Sequence, residues 1–352
     1  MYKKLASFGV ALALAVALAP VVSADERSGE EARLQAIYDD AMFGTVGGTA
    51  GFYLKAVGGP VLLDSNEKYA HDPASAIKVL GHLHAMREVQ AGRDGLFSSL
   101  TSYRYPSSPN ANGNPSSPNL CPVAADETPA NRELEPLQFG LARMMQASDN
   151  RTTRAVVRRY GLPALNSLAG ALGMSQTRWD QDFVGCGYNG GKRNALTAAD
   201  IGKLYEAVAT GRALDPKHTG QFWGLMISQP VRRGDHLLDI IREEAQKLGK
   251  PAAAAPVAER LVRRWKGGSY NICEALCAAH IVIREMDGLA SIPFNVGGAV
   301  QMRDFVFSSF IADARAVCVQ APCPDAQEIQ EGMFLGADEL LRTVIRSALR
   351  TW

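Results

Sequence analysis

Ser75-Ala-Ile-Lys78 sets a hydroxyl and an amine three residues apart, and the chain twice returns to matching chemistry, at Ser148-Asp149-Asn150 and at Lys266-Gly267-Gly268. Each stretch alone is common. In this order they supply a nucleophile with a proton partner, a second hydroxyl to relay a proton, and a cation beside a bare strand, which are the parts of a serine acyl-transfer site.

Around Ser75, Asp72 suits an N-cap and Pro73 a first helical position, so a helix is predicted over residues 74–90, apolar on nearly every face of its first turns and therefore central. Ser75 and Lys78 then share a face. Ser75 falls where unpaired N–H groups and the helix dipole favour developing negative charge. Burial of Lys78 would ease the loss of its proton, so that it can act as a base. Just upstream, residues 51–57 and 61–70 flank Gly58-Gly59-Pro60 and read as a hairpin. Ser65-Asn-Glu-Lys68 repeats the spacing of the first motif, but inside the second strand, where residues three apart face opposite ways. It is excluded on that ground.

The second motif falls between a helix predicted from the spacing of Leu134, Leu137, Leu141 and Met144, and one predicted over residues 151–160. Asn150 is a candidate cap for the latter. Beside Ser75 and Lys78, the Ser148 hydroxyl becomes a candidate relay that returns the proton to the leaving group. Further helices are predicted over 163–172 and 197–210, each ending at a glycine. Residues 93–122, rich in proline, serine and asparagine, read as a surface loop. Beyond about residue 255 strands are predicted over 261–265, 280–285 and 304–311, then a closing helix over 326–349. Lys266 follows the first of these strands, where it can draw in a carboxylate, and Gly267 and Gly268 let a substrate approach the backbone. Strands at both ends with helices between predict an α/β fold, one sheet closed by both termini, with an inserted all-helical region.

Lys3 and Lys4 precede an apolar run from Leu5 to Val22 that closes on Val22-Ser23-Ala24, the pattern of a cleavable signal peptide over residues 1–24, so a secreted or periplasmic protein starting at Asp25 is expected. The run is too short and alanine-rich to predict a membrane anchor. Removing Lys3 and Lys4 from the 37 basic residues leaves 35 against 36 acidic ones, which gives no electrostatic case for binding nucleic acid or membrane surfaces. In an exported chain the six cysteines, Cys121, Cys186, Cys273, Cys277, Cys318 and Cys323, favour disulfides of undetermined pairing. Their spacing completes no four-ligand metal set. His82 and His84 read as ordinary core or surface histidines, and Trp179 and Trp265 as packing residues or as lining of the cleft, packing being favoured.

On the three motifs, with residues 69–90 as the approach to the nucleophile helix and 134–173 around the second motif, the chain resembles the class A serine β-lactamases and their penicillin-binding relatives from about Gly51 onward. The resemblance implies a β-lactamase/transpeptidase-like fold, a five-stranded antiparallel sheet flanked by helices, with an α/β part at 25–73 and 255–352 and a helical part at 74–254. It implies Ser75 as acylated nucleophile, Lys78 as its proton partner, Ser148 as relay, Asn150 as positioner of substrate and lysine, and Lys266 as the carboxylate-side cation. Gly268 and Ser269 would complete the substrate site, with the N–H groups of Ser75 and Ser269 as oxyanion hole, worth about 10²- to 10³-fold each. No cofactor is implied, a monomer is expected, and the substrate would be a β-lactam or a cell-wall peptide.

Two departures bear on activity. The family's deacylating glutamate sits in an Arg-Trp-Glu stretch with an asparagine four residues on; this chain has Arg178-Trp179-Asp180 and Val184, with Asp182 as second candidate. Gly267 stands where the family carries a hydroxyl residue. The leading expectation is a secreted serine hydrolase that opens β-lactams through an acyl-Ser75. The alternatives are a penicillin-binding or D-alanyl-D-alanine peptidase-like acyltransferase with slow deacylation, and a non-catalytic cell-wall binding module.

Overall fold

The computed structural model describes residues 23–108, 124–181, 193–274, 279–317 and 324–352. The expected signal segment up to residue 22 lies outside them. So do Asp182, Cys121, Cys186, Cys277, Cys318, Cys323 and the side chain of Cys273, and with them the expected disulfides.

Helix α1 (Ala24–Ala41) leads into the hairpin of β1 (Thr49–Ala56) and β2 (Val61–Ser65). The chain later returns to the sheet through β5 (Ile227–Pro230), β6 (Val262–Glu274), β7 (Ala279–Val296) and β8 (Ala299–Val317). All pairs are antiparallel, in the order β2-β1-β8-β7-β6-β5. The sheet therefore has six strands rather than the five expected. The extra one is β5, a four-residue edge whose Ser-Gln-Pro sequence carries no strand signal.

Between the halves of the sheet lie α2 (Lys78–Gln90), a hairpin of β3 (Ser99–Tyr103) and β4 (Arg132–Pro136), then α3 (Leu137–Gln146), α4 (Asn150–Tyr160), α5 (Leu162–Ala171), α6 (Ala198–Ala209) and α7 (Pro216–Leu225). Strand β3 forms inside the segment read as a loop. Its serines and threonine hide the alternation that Leu100 and Ser102, both buried between exposed Ser99 and Thr101, reveal in three dimensions. Helices α8 (His236–Lys247) and α9 (Ala254–Arg260) precede β6. The single closing helix of the sequence reading is two, α10 (Pro324–Leu340) and α11 (Arg342–Arg350).

The central strands are apolar on both sides because both faces are covered. Along β8, Phe305 and Phe307 enter a cluster with Leu34 of α1, Ile240 of α8 and Leu340 and Ile345 of the closing helices, while Val306 between them enters a second cluster built on α2 to α7. The strand's period of two thus feeds two hydrophobic cores, one on each face. Lys78 of α2 and Lys266 of β6 meet where the second core abuts the sheet.

Candidate active site

The turn that carries Ser75 is not yet α-helix. Ala74 sits at φ +45°, in the left-handed region, and its N–H donates to Asp72 Oδ1 at 3.0 Å. Tight three-residue bonds follow, Ala76 N to Pro73 O at 2.9 Å and Lys78 N to Ser75 O at 3.2 Å, and α2 begins only at Lys78. A left-handed residue cannot propagate a right-handed helix, so the predicted start at residue 74 moves four residues on. Ser75 is thereby presented on a strained turn at the mouth of a cavity.

The second motif divides its labour. Asp149, not Asn150, caps α4, its carboxylate accepting from Arg151 N at 2.8 Å and Thr152 N at 3.0 Å. Asn150 is therefore spared for the site, and its Oδ1 accepts from Lys78 Nζ at 2.6 Å. Ser148, held at φ +56°, offers both its carbonyl (2.6 Å) and its Oγ (3.2 Å) to the same amine. Three acceptors thus converge on one amine. From the other side Lys266 Nζ donates to Ser148 Oγ at 3.1 Å and to Gly267 O at 2.6 Å. With both lysines donating to its oxygen, the Ser148 hydroxyl keeps its own proton to give into the cavity.

Gly268 closes the arrangement by contact. A methyl group built on it would stand 2.3 Å from Pro73 O and 3.2 Å from Ser75 N, so only glycine lets β6 lie against the nucleophile turn. Ser75, Ser148, Lys266, Gly268 and Ser269 line one cavity of about 300 Å³, which continues past Trp265. Of the two readings of Trp265, lining of the cleft holds, and it is a wall of the site. Trp179 is fully buried against Gly81.

The Asp180 carboxylate is paired with Arg178 at 2.8 Å, and Asp180, like Lys78 and Asn150, is not among the residues lining this cavity.

Beneath the lysines lies a charged group that the motif reading missed. In the β6–β7 register Lys266 faces Asp287 and Gly268 faces Glu285, and both acids are fully buried. Glu285 Oε2 meets His71 Nε2 at 3.1 Å, four residues before Ser75, while neither carboxylate oxygen of Asp287 has a hydrogen-bond partner among the described residues. The signal was available: acids at alternate positions of a strand share one face.

Electrostatics follow from this burial. Desolvation holds Lys78 well below the ordinary lysine value, the Lys266 charge adds to that, and Asp149 opposes it. Lys266, also buried, is lowered to about 8, with Asp287 and Glu285 resisting the fall. Burial raises Asp287 well above the carboxylate range and raises Glu285, which His71 counteracts. Of the two amines that share Ser148, Lys78 is the one disposed to be neutral, as a base must be.

The Beta-lactamase enzyme family matches residues 31–246. The chain belongs to the β-lactamase family. Solved structures agree in fold across nearly the whole length. The β-lactamase of Sphaerobacter thermophilus is 17% identical over 89% of this chain and 95% of its own, with a TM-score of 0.55. The TLA-1 extended-spectrum β-lactamase is 12% identical over 90% and 99%, at 0.59. An acyl-enzyme complex of a PBP-A variant with penicillin G is 15% identical over 92% and 96%, at 0.54. No curated protein matches. The β-lactamase/transpeptidase-like fold expected from the motifs is the one observed, with its sheet flanked by helices.

Proposed function

We propose that this member of the β-lactamase family is an exported serine hydrolase that opens a β-lactam through an acyl-Ser75 intermediate. The observation that carries the reading is Ser148 Oγ, reached by Lys78 at 3.2 Å and Lys266 at 3.1 Å on the wall of the cavity that Ser75 enters. Ser75 Oγ attacks the lactam carbonyl carbon and its proton passes to neutral Lys78. The C–N bond breaks as Ser148 protonates the departing nitrogen, and Lys78 replenishes Ser148. The N–H groups of Ser75 and Ser269 would hold the oxyanion, and Asn150 would fix Lys78 and the substrate amide. Water then cleaves the ester, returning a proton to Ser75.

The position of Asp180 favours a second reading, a penicillin-binding acyltransferase that deacylates slowly. A carboxylate occupied by Arg178 is poorly disposed to activate the second-step water, a loss of about 10²- to 10⁴-fold. Intact-mass spectrometry of the protein mixed with benzylpenicillin, followed over time, separates the readings. Drug that gains one water without a persistent adduct supports the hydrolase. A persistent adduct absent from Ser75→Ala supports the acyltransferase, and neither adduct nor hydrolysis rejects both.

A further inference from the structure

Trp265 lies over Gly267. A methyl group built on Gly267 would lie 3.2 Å from Cζ3 of the indole and 3.3 Å from Glu285 O, so a side chain at this position would crowd the ring. The ring is itself held from two sides. Its Nε1 donates to Gln229 Oε1 of β5 at 3.3 Å, and its edge meets Phe334 of α10 at 6.4 Å between centroids and 77° between planes.

Pairing of β6 with β5 ends at Trp265, and the edge of β6 beyond it borders the cavity. Beside Ser75, Ser148 and Lys266, the lining includes Ile227, Trp265, Gln330, Met333 and Phe334, and Phe334 is 38% exposed. Strand alternation puts Trp265 on the face of β6 opposite Lys266. The chemistry assigned above uses none of these five side chains.

Ser148 fixes which part of a substrate turns towards these side chains. The atom that Ser148 protonates is the leaving group, and Gln146 and Ala147, which immediately precede Ser148, line the same cavity. A substituent on the leaving side therefore runs past Lys266 towards Trp265. We propose that Ile227, Trp265, Met333 and Phe334 form a specificity subsite for an apolar, phenyl-sized substituent on the leaving-group side of the acyl donor. This deepens the reading given above, on which its orientation rests. A cavity of about 300 Å³ lies at the small end of ligand sites, enough for the reacting atoms and one ring. An apolar pocket of this kind discriminates by roughly 10- to 200-fold.

The test uses two esters with the same phenylacetyl group, one with 3-phenyllactate and one with lactate as leaving group. Wild type is expected to favour the phenyllactate ester in kcat/KM by about tenfold or more, and Phe334→Ala and Trp265→Ala to bring that ratio towards unity. Equal kcat/KM for the pair in wild type, or a ratio intact in both variants, overturns the subsite. Calorimetric titration of Ser75→Ala protein with free 3-phenyllactate and lactate reads the pocket without chemistry. Tighter binding of phenyllactate that vanishes in Ser75→Ala/Phe334→Ala supports the subsite even where wild type fails to turn over either ester, in which case only the acyl-transfer reading falls. Equal affinities overturn the subsite itself.

Discussion

Lys266 carries its charge in a buried setting, 2% exposed, and loses its proton near pH 8. Acylation by a carboxylate-bearing donor is therefore expected to fall as pH rises past about 8, read as kcat/KM or as the rate of adduct formation. Lys266→Arg should move that limb upward, since a guanidinium stays charged throughout the range. Asp287 gives the opposite kind of signal. Its folded value is raised, so the native protein keeps a proton that the unfolded chain releases, and stability drains as pH rises from about 4 through the raised folded value. Asp287→Asn should flatten this slope in denaturant titrations run between pH 5 and pH 8. A slope left unchanged would mean that Lys266 already neutralises the acid.

Among the elements, β6 is the most constrained, because it touches the nucleophile turn on one face and carries Trp265 on the other. Gly268→Ala must push apart a contact of 2.3 Å to Pro73 O, so the turn and Ser75 should shift. The expected result is a loss of about 10²-fold in acylation with a stability cost of about 1–3 kcal/mol, checked by adduct kinetics and thermal unfolding. The same strand explains what the sequence made legible. The three motifs, the helices with clear apolar stripes and the strands at both ends could be read because their chemistry or periodicity is local. Several features escaped, among them β5, too short to show a pattern; β3, inside the segment read as a loop; the break between the two closing helices; the left-handed turn at Ala74, where alanine gives no hint of positive φ; and Asp149 taking the capping role from Asn150, since either residue caps equally well in isolation. The pairing of Lys266 with Asp287 and of Gly268 with Glu285 depends on a register that no single strand encodes.

At the scale of the whole molecule, the closing helices are tied back to the start of the chain by charge. Glu244 of α8, 1% exposed, accepts from Arg342 at 2.8 Å and from Arg346 of α11, while Arg346 also reaches Glu26 and Glu30 of α1. Glu339 takes Arg342, Arg33 and His236. Arginine hydrogen bonds hold Glu244 near 2, against its burial, and Glu339 lower still. Both are depressed, so their contribution is full above the unfolded value near 4.3 and is lost as pH falls towards 2. Glu244→Gln is expected to cost on the order of 1–3 kcal/mol at neutral pH and to blunt the acid transition followed by circular dichroism. An acid midpoint identical to wild type would remove the network from any role in acid sensitivity.

The nucleophile turn and Ser148 belong to one hydrophobic core, and Lys266 with Gly268 to a strand shared with the other. The site is thus sewn across a seam, and the stitches are a few hydrogen bonds and one glycine contact. A small slip of the layers would silence the chemistry long before either core melts. On warming, acylation should fade several degrees ahead of the loss of helical signal, and a covalent adduct bridging the seam should bring the two events together.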